Sequence, residues 1–139
     1  MHIPSINYIA VILAMLSSIV VGFVWYTPRV FGKTWMRLTG VQPGTGQSAV
    51  RPIIITIVVS FLTAWVLAGA VDISFHFYGG SFLLNSIFTA LILWVGFTAA
   101  RFITHDVFDR RPWQLTVLNI AHELVTLLIM AVIIGVWPA

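Results

Sequence analysis

Apolar residues in this chain fall into four long runs, joined by one longer polar segment and two short ones. The runs cover Ser5–Trp25, Val50–Val71, Gly80–Ala100 and Pro112–Val136. About 20 helical residues, rising about 1.5 Å each, cross the roughly 30 Å hydrocarbon core of a bilayer. Each run is about that long. The pattern predicts an all-α integral membrane protein, a single transmembrane domain over residues 1–139 that folds as an antiparallel four-helix bundle.

The composition supports lipid as the solvent of this chain. Of its 139 residues, 60% are hydrophobic and only 8% are charged, whereas soluble domains carry about 25% charged residues. A chain this short has too much surface to hide such an apolar excess internally. There is no cysteine, which excludes disulfides, thiolate nucleophiles and zinc–thiolate sites.

Basic residues predict the direction of the spans. All seven lie in or beside two of the connecting segments, and the two termini and the segment around Asp72–Tyr78 have none. The positive-inside rule places the basic segments in the cytoplasm and both termini outside it. The first span lacks a positive amino-terminal region and a small-x-small cleavage site, so we expect it to be retained. This distribution also argues against a nucleic-acid partner. The basic residues are Arg29, Lys33, Arg37 and Arg51 in the first segment, and Arg101, Arg110 and Arg111 in the second.

The segment "WYTPRVFGKTWMRLTG" after the first span predicts a short cytoplasmic helix over about residues 28–39. Its basic residues recur every four positions and so share a helical face. We expect its aromatic rings to lie in the headgroup layer and its basic face to meet anionic lipid headgroups. The alternative is a docking or substrate-phosphate site. The residues of this interfacial set are Trp25, Tyr26, Arg29, Lys33, Trp35 and Arg37.

Two stretches of the chain resemble a known family. The opening "NYIAVILAMLSSIVVGFVWYTPRVFGKTWMRLTG" is similar to the start of the bacterial domain-of-unknown-function 1761 family, and "FDRRPWQLTVLN" is similar to its end. The resemblance implies a small multi-span protein of the bacterial inner membrane. It brings no catalytic residues to this chain. The residues that carry it are Asn7, Tyr8, Gly22, Trp25, Tyr26, Pro28, Phe31, Gly32, Lys33 and Trp35, then Phe108, Arg111, Pro112 and Asn119.

A polar stripe interrupts the fourth span at "NIAHELVT". At 100° per residue its five polar side chains occupy one arc of the helix. Glu123 follows Pro112 by eleven residues, about 16 Å, which predicts a mid-bilayer depth. An ionised carboxylate at that depth costs at least about 2.5 kcal/mol, so the stripe must face protein or water. The stripe comprises Thr116, Asn119, His122, Glu123 and Thr126.

Polar positions on other spans are candidates to extend this stripe. We expect Asn85 and Thr63 to form a graded polar path from the outside to the centre, and Thr116 with the His105–Asp106 pair to continue it toward the cytoplasm. In a structural interpretation, Glu123 stays protonated, and the network fixes helix register or an oligomer interface. In a functional one, His122 and Glu123 relay protons or bind a cation or amine.

A weaker metal hypothesis concerns Asp72 and His76, four residues apart, with His2 on the same side. Polar residues in an exterior loop are the simpler interpretation, and we predict no metal site and no cofactor. No phosphate loop, nucleophile elbow or HExxH motif occurs in the sequence, and such motifs would mark the corresponding enzymes.

Three functions follow, in order of preference. The first is a small homo-oligomeric channel- or transporter-like protein with a polar site for a proton, a small cation or a polar solute. The second is an accessory or interaction subunit that stabilises a larger membrane complex. The third is a membrane enzyme acting on a lipid or quinone, with Glu123 or His122 as acid or base.

Overall fold

The protein is helical throughout the part that this computed structural model describes, which comprises residues 3–42, 44 and 48–138. A π-helical segment, Trp94–Ala99, joins two helices without a break, so Phe82–Phe108 forms one long helix. His2, the third residue of the metal hypothesis, lies outside the described residues. The helices are α1 (Tyr8–Trp25), α2 (Gly32–Thr39), α3 (Val50–Tyr78), α4 (Phe82–Leu93), α5 (Ala100–Phe108) and α6 (Trp113–Val136).

Four of these helices are long and apolar enough to cross a membrane: α1, α3, the continuous Phe82–Phe108 helix and α6. Their number and order confirm the four predicted runs. Large apolar side chains are exposed on all four, including Phe23, Val58, Phe88, Ile92 and Val132. Such a surface is unfavourable in water and neutral in hydrocarbon. The chain is therefore a membrane protein by its helix length and surface.

Helix α3 is longer than the predicted second run. It continues through Asp72 to Tyr78 and ends at Gly79, which has a φ of 69°. The prediction of a loop around Asp72–Tyr78 is therefore wrong. Asp72 is buried within the helix, and its Oδ2 accepts a hydrogen bond from the Ser5 backbone N–H at 3.2 Å. The stop comes from glycine, whose left-handed conformation ends helices readily.

A tight turn separates α1 from α2. Gly32 starts α2 and donates its N–H to the Thr27 carbonyl at 2.8 Å. A Cβ at Gly32 would overlap the Tyr26 carbonyl oxygen and lie 2.7 Å from the Thr27 carbonyl carbon, so the turn requires glycine. Arg29 belongs to the turn and not to the helix, which begins four residues later than about residue 28. Gly40 ends α2 in the left-handed conformation, φ 74°, as its sequence position predicts.

Small residues bring the long helices close together. Each of α1 and α4 contacts both α3 and α6, and the shared core contains Ala14, Ala64, Ala90 and Ala131. In a membrane, close packing through small residues replaces the hydrophobic effect as the main source of helix association. The α4–α6 contact is the tightest: a Cβ on Gly135 would lie 3.0 Å from Leu83 Cα. Beside it, the Ser86 hydroxyl donates to the Ala131 carbonyl at 2.5 Å.

Candidate functional site

His122 and Glu123 form the centre of the polar stripe. His122 Nδ1 lies 3.4 Å from Glu123 Oε1, and the His122 side chain is only 13% exposed. Aromatic rings cover the imidazole: its centroid is 5.8 Å from that of Trp25 and 5.1 Å from that of Tyr26.

Hydrogen-bonding capacity is left unused around this imidazole. Within the described residues, three buried side-chain atoms have no hydrogen-bond partner: Trp25 Nε1, His122 Nε2 and Thr126 Oγ1. His122 Nε2 faces Gly22, where an added Cβ would lie 3.8 Å from it. Buried polar atoms are normally paired, so their concentration at one place distinguishes this region from the rest of the described molecule.

Glu123 lines an open groove between the Phe82–Phe108 helix and α6. The groove encloses about 430 Å³, and the Glu123 side chain is 37% exposed. Phe97, Thr98 and Phe102 form an apolar wall at one part of it. Three carboxyl groups and two guanidinium groups line the groove with one more imidazole: Asp106, Asp109 and Glu123, Arg101 and Arg111, and His105.

A buried carboxylate fixes the opposite end of the groove. Asp106 Oδ2 accepts a hydrogen bond from the Thr116 hydroxyl at 2.7 Å in a buried environment. Arg111 Nε lies 3.8 Å from Asp106 Oδ1 and 3.6 Å from Asp109 Oδ2. Thr116 therefore belongs to a network that ties α5 to α6, about two turns from Glu123 along α6.

The π-helical segment forms part of the groove wall. It contains Phe97 and Thr98, and its first residue, Trp94, donates its indole N–H to the Ile120 carbonyl at 2.9 Å. A π segment inserts an extra residue into a helical turn and is frequent at functional sites. Arg101 and Phe102, which follow it in the same long helix, also line the groove with Glu123.

Tyr26 links the end of α1 to the stripe. Its hydroxyl donates to Asn119 Oδ1 at 3.3 Å. Burial, with a smaller contribution from the negative Glu123 carboxyl, raises the pKa of Tyr26 from 10.0 to about 12. Both causes disfavour the phenolate, so the hydroxyl keeps the proton that it donates to Asn119.

The contact with Trp25 and Tyr26 also sets the height of the pair in the molecule. These residues end α1, so His122 and Glu123 lie level with that end of the helix. At the other end, Asn7 Nδ2 donates to the Trp137 carbonyl at 3.3 Å, and α1 spans about 27 Å between these levels. The pair therefore lies level with one end of α1 and near the middle of α6. Its mid-bilayer depth stays a prediction.

Two predicted members of the polar path lie elsewhere. Asn85 closes the turn after α3: it accepts from the Ser74 hydroxyl at 2.9 Å and donates to the carbonyls of Gly79 and Ser81. The hydroxyl of Thr63 donates to the Val59 carbonyl of its own helix at 3.0 Å. Neither contacts the stripe. Each residue follows the spacing of a polar face on its own helix. These faces pack toward different neighbours, so the residues do not meet at one site.

The interfacial set divides in two. Trp25 and Tyr26 pack on His122, and Trp35 packs on Tyr26 with ring centroids 5.6 Å apart, so these rings form a layer between α2 and the stripe. The basic members Arg29, Lys33 and Arg37 show no ion pair within the described chain. Sequence reasoning identified these aromatic residues as boundary markers and missed their contact with the imidazole.

Arg101 and the apolar wall of the groove were also missed as site residues. In the sequence, Arg101 served only to predict the orientation of the spans, and Phe97 was only one apolar residue of the third span. The signal that could have found them is their four-residue spacing with His105 and Asp109, which places one row of side chains along a single helical face.

Comparison with known proteins identifies the family of this chain. No curated protein and no solved structure matches this chain. A family described as "Protein of unknown function (DUF1761)" matches residues 9–135, nearly the whole chain, including the groove and the polar stripe. The match contains the four long helices except for the terminal residues Tyr8 and Val136, and the chain belongs to the DUF1761 family.

Proposed function

We propose that this protein lies in the bacterial inner membrane and, as a homo-oligomer, moves a proton, a small cation or a cationic solute in the manner of a channel or transporter. The observation that carries the proposal is the Glu123 carboxyl, 37% exposed on the wall of an open groove beside His122. A carboxylate cannot face acyl chains without a large cost. Its exposed part needs a polar or cationic occupant.

The proposed arrangement in the membrane is an antiparallel bundle with both termini outside and the groove opening toward the cytoplasm. The contacts of Asn7 with Trp137 and of Tyr26 with Asn119 support opposite directions for α1 and α6. All seven basic residues lie toward the groove end of the chain's helices or in its connections, which supports a cytoplasmic position for that end. Helix α2, with Lys33 and Arg37, then lies at the inner surface.

Charge favours a cation over an anion at Glu123. The groove has three carboxyl groups and two guanidinium groups. In the described chain, the ion-pair partner of Glu123 is His122, with Nδ1 at 3.4 Å from Oε1. A positive occupant would gain a charge-assisted hydrogen bond that the protein itself does not supply.

A homo-oligomer supplies what one protomer lacks. Above the level of His122, the space between the helices is filled by Val11, Leu67, Val71 and Met130, all buried. An apolar core this closely packed offers an ion no path. A path across the membrane therefore requires a second copy beside the groove, and the exposed Glu123 lies where such a copy can reach it.

Flux into liposomes tests this function. The wild-type protein should carry protons or monovalent cations, measured with a pH-sensitive or ion-sensitive dye inside the vesicles. Glu123→Gln keeps the shape and removes the charge, so flux should be lost while the protein still folds. Thr63→Val, away from the stripe, should keep wild-type flux. Absence of flux from the wild type, or full flux from Glu123→Gln, contradicts the proposal.

A second candidate, an accessory subunit held in a larger complex, is favoured by the interhelical bonds of the stripe. The Tyr26–Asn119 and Thr116–Asp106 bonds join helices and need no transported solute. In this role, Glu123→Leu should lower thermal stability or release the protein from its complex. If Glu123→Leu keeps its thermal stability and stays in the complex in mild detergent, the accessory role is contradicted.

A further inference from the structure

Two opposite charges on the wall of the groove remain without a close ion-pair partner of full charge. Arg111 is paired with Asp106 and Asp109, at 3.8 and 3.6 Å. Among the described residues, Arg101 is in no ion pair, and Glu123 has only His122, at 3.4 Å. Arg101 and Glu123 line the same groove without pairing with each other. A groove that holds a guanidinium and a carboxylate apart offers one site for an anion and one for a cation.

We infer that this groove binds a phosphorylated primary amine, the phosphoethanolamine group of a phospholipid, with the ammonium at Glu123 and the phosphate at Arg101. The inference rests on the proposed role of Glu123 as the cation-binding group and names its ligand. A lone cation would pair with Glu123 and leave Arg101 without a partner, and a purely anionic headgroup would do the reverse. A zwitterion with both charges a short alkyl chain apart satisfies both.

The positions of the two residues along their helices agree with one ligand. Contacts at Ser86–Ala131 and Asp106–Thr116 align the Phe82–Phe108 helix with α6. By interpolation, Glu123 lies at the level of the π-helical segment, within about one turn of Arg101. Helical side chains lean toward the amino end of their own helix. In antiparallel neighbours, Arg101 and Glu123 therefore lean toward each other.

The apolar wall favours a lipid over a free headgroup. Phe97 is 76% exposed on the outer surface of its helix and also lines the groove, next to Phe102. An acyl chain or glycerol backbone leaving the groove would meet these rings and continue into the bilayer. A soluble phosphoethanolamine would leave both rings unused. The observations therefore favour phosphatidylethanolamine as the occupant.

Native mass spectrometry of the full chain in detergent tests this inference. The protein is titrated separately with phosphatidylethanolamine, phosphatidylglycerol, phosphatidylcholine and water-soluble glycerophosphoethanolamine. We expect phosphatidylethanolamine to bind at least about tenfold more tightly than phosphatidylglycerol, as one charge-assisted hydrogen bond provides. Phosphatidylcholine, which has no N–H to donate, should also bind more weakly. Equal binding of the three phospholipids overturns the inference without any variant.

Variants assign the two contacts. Glu123→Gln should remove the preference for phosphatidylethanolamine over phosphatidylglycerol, and Arg101→Gln should weaken both lipids. Arg51→Gln, a basic residue that does not line the groove, is the matched control and should leave both affinities unchanged. An unaltered preference in Glu123→Gln overturns the assignment. If glycerophosphoethanolamine binds as tightly as the lipid, and Phe97→Ser changes neither, the ligand is the soluble headgroup and the lipid source is wrong.

The two proposals fail separately. Cation flux without any headgroup preference contradicts the ligand and leaves the transport function standing. A clear preference for phosphatidylethanolamine in a protein that passes no ion contradicts cation transport and leaves the lipid site standing.

Discussion

At the Asn7 end of the molecule, polar side chains close turns and fasten helix termini, whereas at the Glu123 end they line a groove and leave hydrogen-bonding capacity unused. Asn7 caps α1 by accepting from the Ile9 and Ala10 N–H groups at 3.1 Å and also holds the end of α6. Asn85 makes three hydrogen bonds around the α3–α4 turn. All the unpaired buried polar atoms of the described residues lie instead around His122.

The difference separates what stabilises this fold from what it can bind. Satisfied polar groups and close small-residue packing contribute stability. Unpaired polar atoms, a π segment and an exposed carboxylate lower stability and persist where binding requires them. Substitutions of satisfied, closely packed groups should therefore lower stability, whereas substitution of the exposed Glu123 should remove binding with folding retained.

Gly135→Ala should give the largest loss of stability. The new Cβ would lie 2.8 Å from Leu83 Cδ1 and 3.0 Å from Leu83 Cα, so the α4 backbone must move. Overpacking of this kind costs about 1–3 kcal/mol. Thermal unfolding in detergent measures it. Gly69→Ala is the control, because its Cβ would make an ordinary 3.9 Å contact with Ile6; equal melting of both variants would contradict the importance of this contact.

Thr116→Val should come next, at the groove end. It keeps the side-chain shape and removes the hydroxyl that donates to the buried Asp106 carboxylate at 2.7 Å. An acceptor left unsatisfied in a buried site costs about 1–3 kcal/mol. Thr104→Val on α5, whose hydroxyl bonds only to the Ala100 carbonyl of its own helix, should change the free energy of unfolding by less than about 0.5 kcal/mol. A loss as large in the control would show that the hydroxyl–Asp106 bond is not the cause.

Part of the fold and of the candidate site could be predicted from the sequence. Long apolar runs determine the number and order of spanning helices, because lipid imposes one length and one composition on all of them. The stripe from Thr116 to Thr126 was recognisable because five polar residues share one face of an otherwise apolar helix. The left-handed end of α2 at Gly40 followed from residue type alone.

The features that the sequence did not reveal depend on which helix faces pack against each other. Asn85 and Thr63 have the spacing of a polar path, yet each is satisfied within its own turn or helix. Trp25 and Tyr26 are typical of a membrane boundary, and only the packing of α1 on α6 puts them against His122. The position of Glu123 relative to α1 likewise depends on how far α6 extends past α1. Counting residues within one span gives no information on that.

Tyr26→Phe should have a smaller effect. It removes a long hydrogen bond, 3.3 Å, to Asn119, which corresponds to about 0.5–1 kcal/mol. Because burial raises the pKa of Tyr26 to about 12, the folded protein keeps the phenol proton that the unfolded chain releases near its ordinary value of 10.0. The folded state then binds more protons between pH 10 and 12, so this contribution is fully present below pH 10 and falls as pH rises through that window.

Phenolate absorbance during an alkaline titration measures that shift. Of the three tyrosines in the chain, Tyr26 should supply a late step near pH 12 that disappears in Tyr26→Phe. Tyr78→Phe, which removes the hydroxyl of an exposed tyrosine, should leave the late step in place. A late step that survives Tyr26→Phe would mean that the buried phenol is a different one.

Glu123→Gln should change stability least of the four, and it separates the two ends most sharply. The His122 and Glu123 side chains are 13% and 37% exposed, and a pair with one partly exposed partner contributes only about 0–1 kcal/mol. The amide keeps a hydrogen-bond acceptor for the imidazole, so thermal unfolding should shift by less than for Tyr26→Phe. If Glu123→Gln instead lowers the melting temperature as much as Gly135→Ala does, the Glu123 carboxylate stabilises the contact between helices. The polar groups at the groove end would then have the same structural role as those at the Asn7 end.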